Sequence, residues 1–197
     1  MGTGRLHFTG GLLGIGLSDQ VKEAYEWLRA KRPTRNDRVS ITGFSRGSYA
    51  GRSFSGLLYH CGIRPEPVDE VYAMYRGRYR DNRTPGFAAA TPVIAHLLAM
   101  DTVGALGIPS PIGYVPVNAE FHDTSLSPLV QSALHLVAAH ETRRHFVPTH
   151  FTDANEATGP VEELWCPGVH VDVGGGGEFT YFSNLALLYA IAAKQVS

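Results

Sequence analysis

Arg38-Val39-Ser40-Ile41-Thr42-Gly43-Phe44-Ser45-Arg46-Gly47 is the stretch that decides the fold of this chain. The β-branched run ending at Thr42 reads as a short strand, and the residues from Arg46 onward carry helical spacing. Strand, turn, helix is the setting of a nucleophile elbow. The chain turns so tightly at the serine of such an elbow that glycine is expected two positions before it and two after it, here Gly43 and Gly47. The Ser45 hydroxyl is then held out at the carboxyl end of a parallel strand, over a helix N-terminus. At average glycine usage the pentapeptide occurs by chance in roughly one chain of this size in ten. An ordinary glycine-rich turn is therefore the competing reading, and the strand-then-helix setting is what favours a nucleophile.

Upstream, Gly10 to Gly16 is glycine-rich and reads as a loop. Ser18 has the chemistry of an N-cap, Val21, Ala24, Tyr25, Leu28 and Ala30 keep helical spacing to Lys31, and Pro33 stops the run. Downstream of the elbow, a helix is predicted from Arg46 to His60, closed by Gly62 and Pro65, with a more polar one from Val68 to Tyr79. Asp81 to Pro85 reads as a loop. Val93 to Met100 is nearly continuously apolar and ends abruptly at Asp101, as a buried parallel strand does. Ile108 to Pro128 is proline-rich and irregular, and Leu129 to His140 reads as a helix through Leu134, Val137 and Ala138. Val161 to Cys166 reads as a strand broken by Pro167-Gly168, and Asn184 to Lys194 as an apolar helix. Strands alternating with helices predict one α/β domain over 1–197: a mostly parallel sheet with helices on both faces.

Bulk properties narrow the function. Among 197 residues, 44% are hydrophobic and 18% charged, the balance of a globular domain long enough to bury a sizeable core. A net charge of −1 leaves no electrostatic footprint for nucleic acid. Cys61 and Cys166 are the two cysteines, with neither zinc spacing nor a disulfide framework. No secretory signal and no apolar run of membrane-spanning length is visible, so a cytoplasmic location is the default, with signal-independent secretion as the alternative.

A serine nucleophile needs a base to take its proton, and the base needs an acid to fix its tautomer. In hydrolases of this fold class the chain order is Ser, then Asp or Glu, then His, at the carboxyl ends of the strands. Asp101 follows one predicted strand and His170 lies just past another, so both satisfy the order. Asp101 also suits a turn or a helix cap, and Asp172 is a competing acid two residues from His170. His140, His145 and His150 are five residues apart, which does not bring them onto one helix face, so no metal site is expected.

The same residues carry a resemblance. Gly43-Phe44-Ser45-Arg46-Gly47-Ser48-Tyr49-Ala50-Gly51-Arg52-Ser53, Asp101-Thr102-Val103-Gly104-Ala105-Leu106-Gly107-Ile108-Pro109 and Trp165-Cys166-Pro167-Gly168-Val169-His170-Val171-Asp172-Val173-Gly174-Gly175-Gly176 resemble three blocks of one family. It is the α/β-hydrolase family that includes the phospholipase effectors of bacterial type VI secretion. A fourth block agrees: His140-Glu141-Thr142-Arg143-Arg144-His145-Phe146-Val147-Pro148-Thr149, where that family usually reads Asp-Glu-Arg-Arg-Arg. The blocks occur in order, from about Gly16 to Ala192. The resemblance implies a reduced α/β-hydrolase-like fold with Ser45 as nucleophile, Asp101 as acid and His170 as base, and no cofactor. It implies a structural role for Arg143 and Arg144, closing a loop beside the site. The implied activity is hydrolysis of a carboxylic ester, with a glycerophospholipid or another acyl lipid as substrate and Ile108 to Val117 as a candidate acyl-binding wall. Acyl transfer, thioester or peptide hydrolysis by the same triad, or an inactive truncated binding module, are the alternatives.

Two departures matter. His140 replaces the family's acid, which puts a salt bridge in question. The family also normally begins upstream with a strand ending in Asp-Gly-Thr and a further βα unit, whereas this sequence starts near the tail of the family's Gly-Val-Gly-Thr-Gly turn. One oxyanion donor is expected from the N–H of Arg46, and the second from amides around Thr9-Gly10-Gly11. If this is a whole chain, a bared strand edge is expected to be buried in a homodimer or plugged by the segment Leu6 to Thr9. Self-association is the favoured solution, because roughly ten residues replace at most one strand.

Overall fold

The computed structural model describes residues 16–81, 91–104, 108–110, 113–115, 126–151 and 159–196. Val21, Tyr25 and Leu28 recur at helical spacing and are all buried, so Leu17–Ala30 forms α1 with that stripe facing inward. Gly16, at φ 103°, takes the N-cap position expected of Ser18, whose hydroxyl instead accepts a hydrogen bond from Tyr72 Oη at 2.9 Å. Tyr25 has its phenol fully buried but satisfied: it donates to the Gly62 carbonyl at 3.0 Å and accepts the Arg64 N–H at 2.8 Å. That pair ties α1 to the end of the next helix.

β1 spans Arg38–Phe44, two residues longer than the β-branched run suggests, and leads through Ser45 into α2, Arg46–Cys61. α3 is Val68–Asp81, so Asp81, expected to open a loop, belongs to the helix, and 82–85 lie outside the described residues. β2 is Val93–Met100, as expected. A short antiparallel hairpin follows, β3 (Ile108–Ser110) and β4 (Gly113–Val115), where the proline content suggested irregular chain.

The main departure comes next. Residues predicted as a helix from Leu129 to His140 form a strand, β5, Ala133–Ala138, with all six residues buried. A central parallel strand is covered on both faces and reads as a continuous apolar run, which periodicity alone does not distinguish from a buried helix. β6 is Val161–Cys166, α4 is the short helix His170–Gly174, and α5 is Tyr181–Val196.

The strands form one parallel sheet in the order β1-β2-β5-β6. Side chains alternate along each strand, and the core is accordingly split. Ile94, Leu97 and Ala133 pack beneath α1, α2 and α3, whereas Leu134, Leu136 and Ala138 pack with Val173 and Ala186 of α4 and α5. Helices therefore cover both faces. A cavity of about 420 Å³ lies between α5 and the sheet, against Ile41, Leu98, Leu134 and Leu164, short of the strands' carboxyl ends. Among the described residues β1 and β6 are the sheet's edges, and the segment 6–9 expected to plug one lies outside them. No helix among the described residues is long and apolar enough to cross a membrane.

Candidate active site

Parallel strands in register deliver their following residues to one edge. Phe44 lies opposite Met100, and Met100 opposite Leu136, so Ser45, Asp101 and the chain after Ala138 emerge side by side. The ladder continues one step further: Ser45 N–H donates to Met100 O at 2.8 Å, and Asp101 N–H to Leu136 O at 2.6 Å.

Ser45 sits at φ 56°, ψ −123°, a conformation that costs a non-glycine residue about 1–3 kcal/mol and is held only where the surroundings enforce it. The enforcing contact is at Gly43. A Cβ there would lie 2.5 Å from Gly47 O and from the N and Cα of Ser48, all backbone of the first turn of α2. Gly47 is different: a Cβ would meet nothing within 4 Å, so the expectation that both glycines are sterically required holds for Gly43 alone. Gly43→Ala should therefore displace α2 and lower the melting temperature, since overpacking costs about 1–3 kcal/mol. Gly47→Ala should hold or raise it, because alanine suits a helix better. Thermal denaturation by circular dichroism distinguishes them, and equal losses would refute the steric account.

Asp101 is fully buried and also has positive φ, 40°. Its Oδ1 accepts the Ala138 N–H at 2.9 Å, and its Oδ2 lies 2.6 Å from Nδ1 of His170. An ionised carboxylate only accepts, so Nδ1 carries the proton and Nε2 keeps a lone pair, the tautomer a general base needs. His170 is 4% exposed, at the start of α4. Its imidazole stacks on Phe44, the residue before Ser45, with ring centroids 4.5 Å apart, and meets Phe146 at 4.7 Å. Asp172 plays another part: its Oδ2 accepts the Val169 N–H at 2.8 Å, capping the first turn of α4.

The loop carrying His170 is braced from the fourth sequence block. Glu141 accepts Nε of Arg143 at 2.9 Å and Nη2 at 2.7 Å, and takes the His170 N–H at 3.2 Å. Arg143 also lies over the Phe146 ring at 3.8 Å. The structural role expected for Arg143 is thus this brace, while Arg144 is exposed in the single 3₁₀ turn Arg144–Phe146. His140, in place of the family's acid, accepts the Gly168 N–H on Nδ1 at 2.9 Å.

The Arg143 hydrogen bonds pull the Glu141 carboxyl down to about 2, helped by the Arg143 and His170 N–H groups and opposed by burial. A folded value below the ordinary 4.5 means the ionised form adds stability above that pH and loses it as pH falls toward about 2. Glu141→Gln should therefore lower the melting temperature at neutral pH, with the gap to wild type narrowing below about pH 4.5. A gap unchanged in acid would show that charge is not what Glu141 contributes.

Arg46 opens α2, where first-turn N–H groups lack intrahelical acceptors, and its N–H adjoins Ser45. Gly10 and Gly11, the candidate second donors, lie outside the described residues. Of the candidate acyl wall, the described part is the backbone of the β3–β4 hairpin. Both cysteines are free and buried, and burial pushes the Cys61 thiol up to about 11 and raises Cys166 as well, which leaves them poor nucleophiles.

Among the described residues, His135, His150 and Glu163 bring potential metal-ligating atoms within 4.8 Å of one another. Their hydrogen bonds oppose metal binding. The Thr102 backbone N–H donates to His135 Nε2 at 3.1 Å, so the ring proton sits on Nδ1, directed at Glu163 Oε1 at 2.7 Å. Neither nitrogen of His135 has a lone pair to offer. His135 and Glu163, with Phe44, Phe146 and Glu141, are absent from the sequence-based site. The signals that could have found them are positional: Phe44 is the variable residue before the elbow serine, and Glu141 lies inside the fourth block.

A family model, the catalytic domain of Tle1-like phospholipase effectors of type VI secretion (T6SS), matches residues 3–193. Among solved structures, the chain is similar to an uncharacterized protein from Pseudomonas aeruginosa, at 24% identity and a TM-score of 0.52, over 90% of this chain and 26% of that one. It is also similar to the Tle1 effector seen bound to the VgrG spike of the type VI secretion system, at 18% identity and a TM-score of 0.47, over 81% and 32%. The chain thus spans about a quarter to a third of those proteins. No curated relative matches it.

Proposed function

The chain belongs to the family of Tle1-like phospholipase effector catalytic domains, and from that premise we propose that it hydrolyses a carboxylic ester of a glycerophospholipid through an acyl-enzyme on Ser45. The observation that carries the reading is the 2.6 Å contact between His170 Nδ1 and the buried Asp101 carboxylate, one ring stack away from the strained elbow at Ser45. Ser45 Oγ attacks the acyl carbon as His170 Nε2 takes its proton, and Asp101 stabilises the imidazolium that results. The tetrahedral oxyanion draws on the Arg46 N–H and the positive end of α2. On collapse, His170 returns the proton to the departing alcohol oxygen. Water then attacks the acyl-enzyme, giving its proton to His170, and the free acid leaves as Ser45 regains its hydroxyl.

The test pairs two measurements on the purified chain. A fluorophosphonate should add one phosphonyl group to Ser45, read by intact mass and peptide mapping. Vesicles of phosphatidylethanolamine and phosphatidylglycerol should release free fatty acid. Labelling without fatty-acid release would keep the serine hydrolase and discard the phospholipid substrate. No labelling at all would refute the mechanism and leave the inactive binding module.

A further inference from the structure

We propose that His135 is a positioning residue for the acid of this site, and that Glu163 acts through it by fixing its tautomer. The inference rests on the reading of Asp101 as the group that orients His170. The orientation of the Asp101–Thr102 peptide helps fix where the Asp101 carboxylate points. Thr102 itself is anchored from several sides. The Thr102 carbonyl accepts the Thr149 N–H at 2.7 Å, and the Thr102 hydroxyl meets Ser48 Oγ at 2.7 Å. The N–H is the demanding group, because Asp101, Thr102 and His135 are all fully buried and an amide there needs an acceptor. His135 Nε2, at 3.1 Å, supplies it.

An imidazole accepts at Nε2 only while neutral and protonated at Nδ1. Glu163 enforces the second condition from the neighbouring strand, its Oε1 accepting the hydrogen bond of the Nδ1–H at 2.7 Å. Glu163 is itself fixed: the Phe151 N–H donates to the same oxygen at 3.0 Å, and His150 Nδ1 lies 3.0 Å from Oε2. Burial lowers the pKa of His135, with Arg52 and His150 adding to that effect and Glu163 opposing it, which keeps the ring neutral. The chain Glu163–His135–Thr102 thus ends at the amide that directly follows Asp101, the positive-φ residue that carries the acid.

A residue that merely fills the core would change stability and leave the chemistry of folded molecules alone. A positioning residue changes kcat and the acid limb of its pH profile, which reports His170, while KM stays put. His135→Phe keeps the volume and removes the acceptor, and kcat is expected to fall about 10–100-fold, by analogy with the partners that orient metal ligands. Its acid limb should shift to lower pH, because a misaligned Asp101 stabilises the imidazolium less. Glu163→Leu should move both readouts the same way, and its part-exposed site makes it the variant of choice if His135→Phe does not fold. Glu163→Gln should restore the wild-type profile, since the Phe151 N–H keeps the amide oxygen where Oε1 was. Unchanged kcat and pH profile in folded His135→Phe and Glu163→Leu, with Ser45 still labelled by fluorophosphonate, would overturn this inference alone. An unlabelled wild type would overturn the proposed function and the inference together.

Discussion

Replacing Ser45 by alanine is expected to lower turnover on the order of a millionfold, by analogy with the loss of the nucleophile in other triads. The hydroxyl is the only group at the elbow that forms a bond to substrate in the proposed mechanism, and no neighbour substitutes for it, since the free thiols are buried with raised pKa values. The fold should survive. Ser45 is half-buried, and alanine removes one oxygen from a position held by backbone geometry. Ser45→Gly carries a second expectation. The residue sits at φ 56°, where glycine is unstrained, so relief of about 1–3 kcal/mol of strain should outweigh the roughly 0.5–1 kcal/mol that glycine loses in chain entropy. Ser45→Gly should then be inactive yet melt above wild type. Activity surviving in either variant would remove Ser45 as nucleophile, and a lower melting temperature for Ser45→Gly would remove the strain from the account.

How much of this was legible in the sequence depends on whether local pattern or long-range packing sets the feature. The elbow at Ser45 was legible as geometry because it is local: a strand, a glycine and a helix start within ten residues. Asp101 and His170 followed from chain order and from the habit of parallel strands to end at one edge, and β2 was read to the residue because its apolar run stops abruptly at Asp101. β5 was misread for the opposite reason. Ala133 to Ala138 lies between β2 and β6 with both faces covered, so it has no polar side to show a period of two. That error hid more than a strand, because it carried His135 along as one more helical residue instead of placing it beside Thr102. Phe146 and Glu141 stand in the fourth block, but their contacts with His170 join segments about 25 to 30 residues apart, which no spacing rule links. The role of Gly47 was overstated because a pentapeptide records which residues occur, whereas only the backbone shows which glycine has no room for a Cβ.

Asp101→Asn is expected to lower turnover by roughly ten-thousandfold, with the loss residing in one proton. The hydrogen bonds dictate how the new amide must sit. The Ala138 N–H, 2.9 Å from Oδ1, donates and so requires an oxygen there, which leaves the amide nitrogen in the place of Oδ2, 2.6 Å from His170 Nδ1. An NH₂ group facing Nδ1 makes that nitrogen an acceptor and moves the ring proton to Nε2. The nitrogen that should accept the Ser45 proton is then already protonated. Turning the amide over would restore the tautomer but set its NH₂ against the Ala138 N–H in a fully buried site, where an unsatisfied donor costs about 1–3 kcal/mol. Asp172→Asn is the matched control, because Asp172 accepts the Val169 N–H and an asparagine oxygen accepts it equally well. It should therefore keep near-normal activity. Fatty-acid release and fluorophosphonate labelling rates for both variants decide the assignment: an inactive Asp172→Asn beside an active Asp101→Asn would transfer the acid's role to Asp172 and make the 2.6 Å contact a structural one.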